Sequence, residues 1–176
     1  NLKRVVDPSP GGTTTYDYDP WSNLVSTTDA TSVFSSAVFN IRGFKTSIND
    51  PDRGAWTFAY DSLGELTSHT DAKSQTATYT YDLVGRRTGR SEPEGTSTWT
   101  IGTSAVNKNV GKIISLSGPG YSEAYTYDSL GRPAQRTITG DATYTIDYAY
   151  DAATGQLDNV QYPVSTGGYR LRPQYL

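Results

Sequence analysis

The chain has 176 residues, 35% of them hydrophobic, with 14 tyrosines, one histidine, no cysteine and a net charge of −3 from 15 Lys and Arg against 18 Asp and Glu. No basic stripe is present to neutralise phosphates, which argues against nucleic acid as a partner. The lack of cysteine excludes disulfides, thiolate catalysis and zinc–thiolate sites, and no apolar run approaches the ~18 residues of a membrane-spanning helix.

Taken in order, the sequence reads as strands and turns from end to end. Period-2 runs of Thr, Tyr, Val and Ile alternate with clusters of Gly, Pro, Asp and Ser. Leu2, Val5 and Val6 open a strand, and Asp7-Pro8-Ser9-Pro10-Gly11-Gly12 turns. Thr13, Thr14 and Thr15 lead into Tyr16-Asp17-Tyr18, and residues 24–28 return to Asp29. Val33, Phe34, Val38 and Phe39 mark the next strand, followed by 44–48, a turn at 49–54, and the strand 56–60. Residues 66–70 return, 71–74 turn, and Ala77 to Tyr81 run out again. Arg86 opens a polar return strand to Ser91, Glu92-Pro93-Glu94-Gly95 turns, and 97–101 is strand. Residues 102–112 are the least regular stretch, with a longer loop expected at 102–108. Ile113, Ile114 and Leu116, then 125–127, 137–139, 143–150 and 157–162 complete the series. No apolar spacing of three and four persists, so no helix is expected.

One unit recurs. Tyr79-Thr80-Tyr81-Asp82-Leu83-Val84-Gly85-Arg86 reads as a strand, a tight turn and the start of a return strand. Asp82 is placed to accept backbone N–H bonds that nucleate the turn. Gly85 supplies the positive φ that a side chain resists. Tyr18 and Asp19, with Ser22 at the Gly position, match the unit. So do Tyr60, Asp61 and Gly64, and Tyr127, Asp128, Gly131 and Arg132. Tyr150, Asp151 and Gly155 match with one extra turn residue, and Asn40 with Gly43 forms a degenerate copy. The Asp or Asn positions 19, 40, 61 and 82 repeat every 21 residues, the mark of a repeat architecture, and 128 and 151 follow. A worn copy near Asn109-Val110-Gly111-Lys112-Ile113 is expected to fill the gap. Equivalent strands of successive hairpins lie two strands apart, roughly 9.6 Å. Tyr60 and Tyr81 therefore cannot touch directly, and Leu66 is the expected filler near Tyr60, as Leu24 is near Tyr18.

The pattern Tyr-x-Tyr-Asp-x-x-Gly-Arg, running from about Tyr16 onward, resembles the YD repeat, also called the RHS repeat. Val160-Gln161-Tyr162-Pro163 looks like a further strand of that kind. The resemblance implies an all-β chain of tandem antiparallel hairpins, about seven units over residues 1–176. These would form a curved, open sheet within a larger spiral shell. In bacterial RHS proteins and insecticidal toxin complexes such a shell encloses a C-terminal toxin, and in animal teneurins a similar one serves adhesion. For this chain the resemblance implies a wall segment of a longer, secreted or cell-surface protein. Its partners would be the remainder of the shell and the enclosed toxin, with no cofactor. The family's self-cleavage motif, an Asp-Pro-x-Gly pair after the repeats, is not found; Asp50-Pro51-Asp52-Arg53-Gly54 departs from it.

Other chemistry is weighed against this reading. An active site is built once, whereas Asp19, Asp61, Asp82, Asp128 and Asp151 recur once per hairpin, as turn caps do. Asp17 with Asp19, and Asp50 with Asp52, lack the ligand series of a calcium loop. Glu92 and Glu94 flank Pro93 in a turn and make a poor glycosidase pair. His69, the single histidine, occupies a return-strand position equivalent to Thr27. The alternative to a shell wall is an extracellular module that binds carbohydrate or protein through a Tyr-rich face. About fourteen strands make a strip of roughly 67 Å. Closed into a ring, even with tilted strands, it spans only ~28 Å, too little for a ~33 Å cargo of ~100 residues. The strip is therefore expected to stay open, with end strands near residues 2–6 and 169–175 that invite self-association.

Overall fold

The computed structural model describes residues 1–6, 12–164, 171 and 173. The predicted turn at 7–11 and most of the terminal edge expected at 169–175 lie outside them. Fifteen strands follow one another: β1 (Arg4–Val6), β2 (Thr13–Tyr18), β3 (Leu24–Thr28), β4 (Phe34–Phe39), β5 (Lys45–Asp50), β6 (Gly54–Tyr60), β7 (Leu66–Thr70), β8 (Thr76–Tyr81), β9 (Arg87–Glu92), β10 (Gly95–Ile101), β11 (Ile113–Gly118), β12 (Tyr121–Tyr127), β13 (Pro133–Thr139), β14 (Thr143–Tyr150) and β15 (Leu157–Gln161). They form a single open antiparallel sheet in which the spatial order is the chain order. No helix is present among the described residues. Arg86 precedes the return strand it was expected to open; β9 starts one residue later, at Arg87.

The strands divide into near-equal steps. Asp, Asn or Glu stands at 19, 29, 40, 50, 61, 71, 82 and 92, alternately ten and eleven residues apart. Each step is one strand and one turn, so the 21-residue period is two half-repeats. An odd period keeps its tyrosines on one face only if the ladder is interrupted, because side chains alternate faces along a strand. The interruption is a bulge, as in the hairpin of β6 and β7. Phe58 lies opposite His69, but Tyr60 lies opposite Leu66, with the register shifting between Ala59 and Tyr60. His69 in turn lies opposite Ala77, so Tyr79, 21 residues on from Phe58, keeps its face. The same shift precedes Tyr18, which pairs with Leu24, and recurs before Phe39, Tyr127 and Tyr150.

The chain divides into two compact units, Asn1–Gly85 with Ser91–Pro93, and Arg86–Arg90 with Glu94 onward. Neither has a thick core. Ala77 and Val160 are the only buried apolar residues among those described, and Glu123 the only buried charged one. A single sheet layer leaves most side chains half-covered, which suits a composition that relies on tyrosine. In the second unit the far edge of β15 is partly occupied: Val160 and Tyr162 donate backbone N–H bonds to the carbonyls of Pro173 and Leu171.

Candidate functional site

The repeat residues are distributed along one edge of the sheet, at the turns that join β2 to β3, β6 to β7, β8 to β9, β12 to β13 and β14 to β15. They do not converge on a cleft. In each turn the acidic side chain replaces missing backbone partners. Asp61 Oδ1 accepts the N–H groups of Leu63 at 2.8 Å and Glu65 at 2.9 Å, while the Asp61 carbonyl accepts from Gly64. Asp19 takes Trp21 and Asn23 in the same way, and Asp128 takes Leu130 and Arg132. Asp82 accepts from Val84, and Asp151 from Ala153 and Thr154. Three residues on, Gly64, Gly85 and Gly131 have φ of 92°, 79° and 80°; Gly155, after one extra residue, has 73°, and Ser22 has 71°. The backbone N–H of Glu65 is the main cause holding the Asp61 carboxyl below its ordinary range, and that of Val33 does so for Asp29.

The same turn occurs on the opposite edge, where the sequence was read only as generic turn. Asp29 caps Thr31 and Val33, Asp71 caps Lys73 and Gln75, and Ser32 and Ser74 take φ of 66° and 62°. The signal was present in Asp19-Pro20-Trp21-Ser22, whose Asp-x-x-Ser spacing these turns share. The worn copy expected near Asn109–Ile113 needs correction. Gly102 takes the Asp position: its N–H bonds the Lys112 carbonyl, and its carbonyl accepts from Gly111. The usual three-residue step becomes nine here, so a six-residue insertion sits in the turn itself; Gly111 (φ 77°), Lys112 and Ile113 keep their expected places, and only the Asp position moves, to Gly102. Asn109 caps the inserted loop through the Ser104 N–H.

The remaining motif residues join one hairpin to the next. The second tyrosine donates its hydroxyl across to the carbonyl that begins the preceding return strand: Tyr81 to Leu66 at 2.9 Å, Tyr127 to Ile113 at 2.6 Å and Tyr150 to Pro133 at 2.9 Å. Burial raises the Tyr127 and Tyr150 hydroxyl pKa above the ordinary value. The basic residue after the glycine reaches the glycine carbonyl of the next turn, from Arg86 to Gly111 at 3.3 Å, from Arg132 to Gly155 at 3.0 Å, and from Lys112 to Gly131. Lys112 and Arg132 also lie over the next tyrosine ring, 4.8 Å from Tyr127 and 4.1 Å from Tyr150. In the first unit Phe44 takes that place and stacks on Tyr60 at 5.1 Å. Arg132 is fixed from behind by Asp128 at 2.8 Å.

Two side-chain clusters were not foreseen. Glu123, 4% exposed, accepts from Tyr125 and from both ends of the Arg136 guanidinium, with Nε at 2.6 Å. Arg136 holds the Glu123 carboxyl low, while burial and then Glu123 push Tyr125 up to about 12. The clue was Glu123 two residues before Tyr125 and four before Tyr127, hence on their face. His69 lies between Trp56 and Tyr79, at 5.3 and 5.7 Å, with Nδ1 3.1 Å from the Tyr79 hydroxyl. It pairs with Phe58 as Thr27 pairs with Tyr16. Asp50 caps Asp52 and Arg53 and is not set against Asp52 as a ligand pair. Among the described residues no three His, Asp or Glu gather to hold a metal ion, and no helix is long and apolar enough to cross a membrane. Tyr125, Tyr127, Tyr148 and Tyr150, with Ile113, Pro133 and Leu157, line an open recess of about 550 Å³ in the second unit.

The RHS-repeat family model matches residues 1–33, 46–76 and 60–97. The chain belongs to the RHS-repeat family. The fold of these RHS repeats is similar to that of three solved toxin structures. TcdB2-TccC3 without its hypervariable C-terminal region has a TM-score of 0.68 at 16% identity, over 94% of this chain and 10% of that one. The Tc holotoxin pore of Photorhabdus luminescens has 0.69 at 14%, over 97% and 11%. TcdB2-TccC3-Cdc42 has 0.65 at 15%, over 92% and 11%. This RHS segment thus spans about a tenth of the solved chains it matches. No curated protein sequence matches it.

Proposed function

We propose that this chain is a wall segment of an RHS shell that encloses a C-terminal toxin or effector in a secreted bacterial protein. The observation that carries the reading is an open, strictly sequential RHS sheet whose fold follows the TcdB2-TccC3 structures. In this reading residues 1–176 are seven hairpin units of a longer chain. Tyr18, Asp19, Tyr60, Asp61, Gly64, Tyr81, Asp82, Gly85, Arg86, Tyr127, Asp128, Gly131, Arg132, Tyr150, Asp151 and Gly155 set turn and spacing. The wall acts by shape and not by catalysis, since the repeat carboxylates Asp19, Asp61, Asp82, Asp128 and Asp151 are engaged in capping. Cut from its neighbours, the segment self-associates through its end strands, with β1 the more open of the two because the far edge of β15 is partly occupied.

The test uses the parent protein. The region following the repeats is digested with protease alone and within the full chain. Containment predicts that the shell shields it until the wall is denatured. Digestion at equal rates would sink the reading. A second reading, a binding module for carbohydrate or protein, is favoured by the Tyr-lined recess of the second unit. Calorimetric titration with oligosaccharides distinguishes them: heat that is lost in Tyr148→Ala supports the module, and its absence returns the recess to a wall surface.

A further inference from the structure

In the first unit, β6, β7 and β8 bring three unlike rings together. Trp56 stacks on His69, with centroids 5.3 Å apart and planes 25° from parallel. His69 lies 5.7 Å from the Tyr79 ring, and its Nδ1 is 3.1 Å from the Tyr79 hydroxyl. All three side chains are half-buried. No other tyrosine can have such a partner, because the chain has one histidine. Tyr81, Tyr127 and Tyr150 give their hydroxyls to backbone carbonyls, which have little affinity for a proton. Tyr125 gives its hydroxyl to Glu123, a carboxylate already held by Arg136. Imidazole, by contrast, takes up and releases protons near neutrality.

We propose that Trp56, His69 and Tyr79 form a one-electron relay, in which a hole accepted at Trp56 ends on Tyr79 as a neutral phenoxyl radical. The reaction partner is a one-electron oxidant, of the peroxyl-radical or oxidised-metal-complex class. It takes one electron from the Trp56 indole and is itself reduced, leaving an indole radical cation. Tyr79 then returns one electron to Trp56 and passes its O–H proton to His69 Nδ1. Trp56 is restored, and a phenoxyl stands beside an imidazolium. One O–H bond breaks, one N–H bond forms, and charge is conserved. The transfer uses the tautomer with its proton on Nε2, in which Nδ1 accepts from the hydroxyl. The 3.1 Å separation is short enough for direct proton transfer. Two contacts set the direction. The Arg53 guanidinium lies 5.6 Å from the Trp56 ring centroid, where it makes positive charge on the indole costly. The indole N–H donates to the Arg53 carbonyl at 3.0 Å, an acceptor that cannot keep its proton. Trp56 therefore holds the charge badly, while Tyr79 sheds its proton and ends neutral. The relay is independent of the shell reading, since it requires neither cargo nor neighbouring repeats.

The test is flash photolysis of the chain with a tris-bipyridyl ruthenium sensitiser and a cobalt(III) ammine quencher, following indole and phenoxyl radicals by their absorption. Of the three tryptophans, Trp21→Phe/Trp99→Phe leaves Trp56 as the single indole. In that background phenoxyl should grow in as the indole radical decays, and more slowly in deuterium oxide because a proton moves with the electron. His69→Phe, which keeps a ring but no base, should slow the step at least ~10-fold. Tyr79→Phe should leave the indole radical long-lived, whereas Tyr81→Phe should change nothing. Phenoxyl growth at the parent rate in His69→Phe or in Tyr79→Phe overturns the proposal, and so does the lack of an isotope effect. If His69→Phe loses its β circular dichroism, His69→Gln is measured in its place under the same criteria. If the double tryptophan variant does, the parent is compared with Trp56→Phe, which should lose the coupled phase; a phase that persists overturns the proposal.

Discussion

At Gly64 a methyl group would meet a ring. Its Cβ would lie 2.6 Å from Cζ and 3.1 Å from Cε2 of Phe44, which is itself stacked on Tyr60. The positive φ adds the left-handed penalty of about 1–2 kcal/mol for a side chain. Gly120 has a similar φ of 69° but nothing within 4 Å. Gly64→Ala should therefore cost about 2–4 kcal/mol and Gly120→Ala about 1 kcal/mol, read by denaturant melts; equal losses would show that Phe44 yields freely. The turn carboxylates set a pH dependence. Backbone N–H groups are the main cause holding Asp29, Asp61 and Asp151 below the ordinary carboxylate value of 3.8. A group with a depressed folded pKa contributes stability above its unfolded pKa, lost as pH falls through the folded one. Melting temperature should thus be flat at neutral pH and fall below about pH 4, less steeply in Asp29→Asn/Asp61→Asn, because the amide retains one acceptor oxygen.

In the second unit, successive hairpins are tied together by a basic residue and a tyrosine. Arg132 contacts Asp128, the Gly155 carbonyl and the Tyr150 ring. Arg132→Ala should cost about 1 kcal/mol, and Lys should restore only part of it, since an ammonium lacks the planar fork. The buried Glu123 is costlier to lose: Glu123→Ala strands Arg136 and Tyr125 and should destabilise by about 1–3 kcal/mol, with a smaller loss when Arg136→Met is added. A double-mutant cycle by chemical denaturation checks both. The series of hairpins was legible because Asp, Gly and alternating Tyr-Thr act locally. Leu24 and Leu66 could be placed opposite their tyrosines for the same reason, whereas the bulge that shifts the register was not legible. The Glu123–Arg136 pair was hidden because its partners come from different strands. The Gly102 turn was hidden because six inserted residues separate the two halves of its signature. The ten-and-eleven alternation was available in the sequence, but the turns at 29, 50, 71 and 92 lack the preceding aromatic residue that marks the others.

At the scale of the molecule, stability is a sum over neighbouring strands, since none pairs beyond its chain neighbours. The expected open strip is what the sheet order shows, with β1 and β15 at opposite ends of the order rather than joined. Damage should stay local. Replacing Val5 by Pro at the first edge should shift the melt far less than Ala77→Pro in β8, which removes a ladder bond inside the sheet, costing about 3 kcal/mol or more. Thermal melts of both, with equal shifts as the contrary result, decide this.

The strictly sequential order also determines how such a strip gives way mechanically. A load applied at an end falls on one ladder at a time, so hydrogen bonds open as in a zipper instead of shearing together. Each strand and turn of ten or eleven residues then adds about 35 Å of length at ~3.3–3.6 Å per residue. Pulled by its ends in an optical trap, the chain should lengthen in a train of small, low-force steps of that size; one tall rupture would contradict it. A wall made this way can be unravelled from a free end by a modest, sustained pull, while the strands still in place keep their bonds.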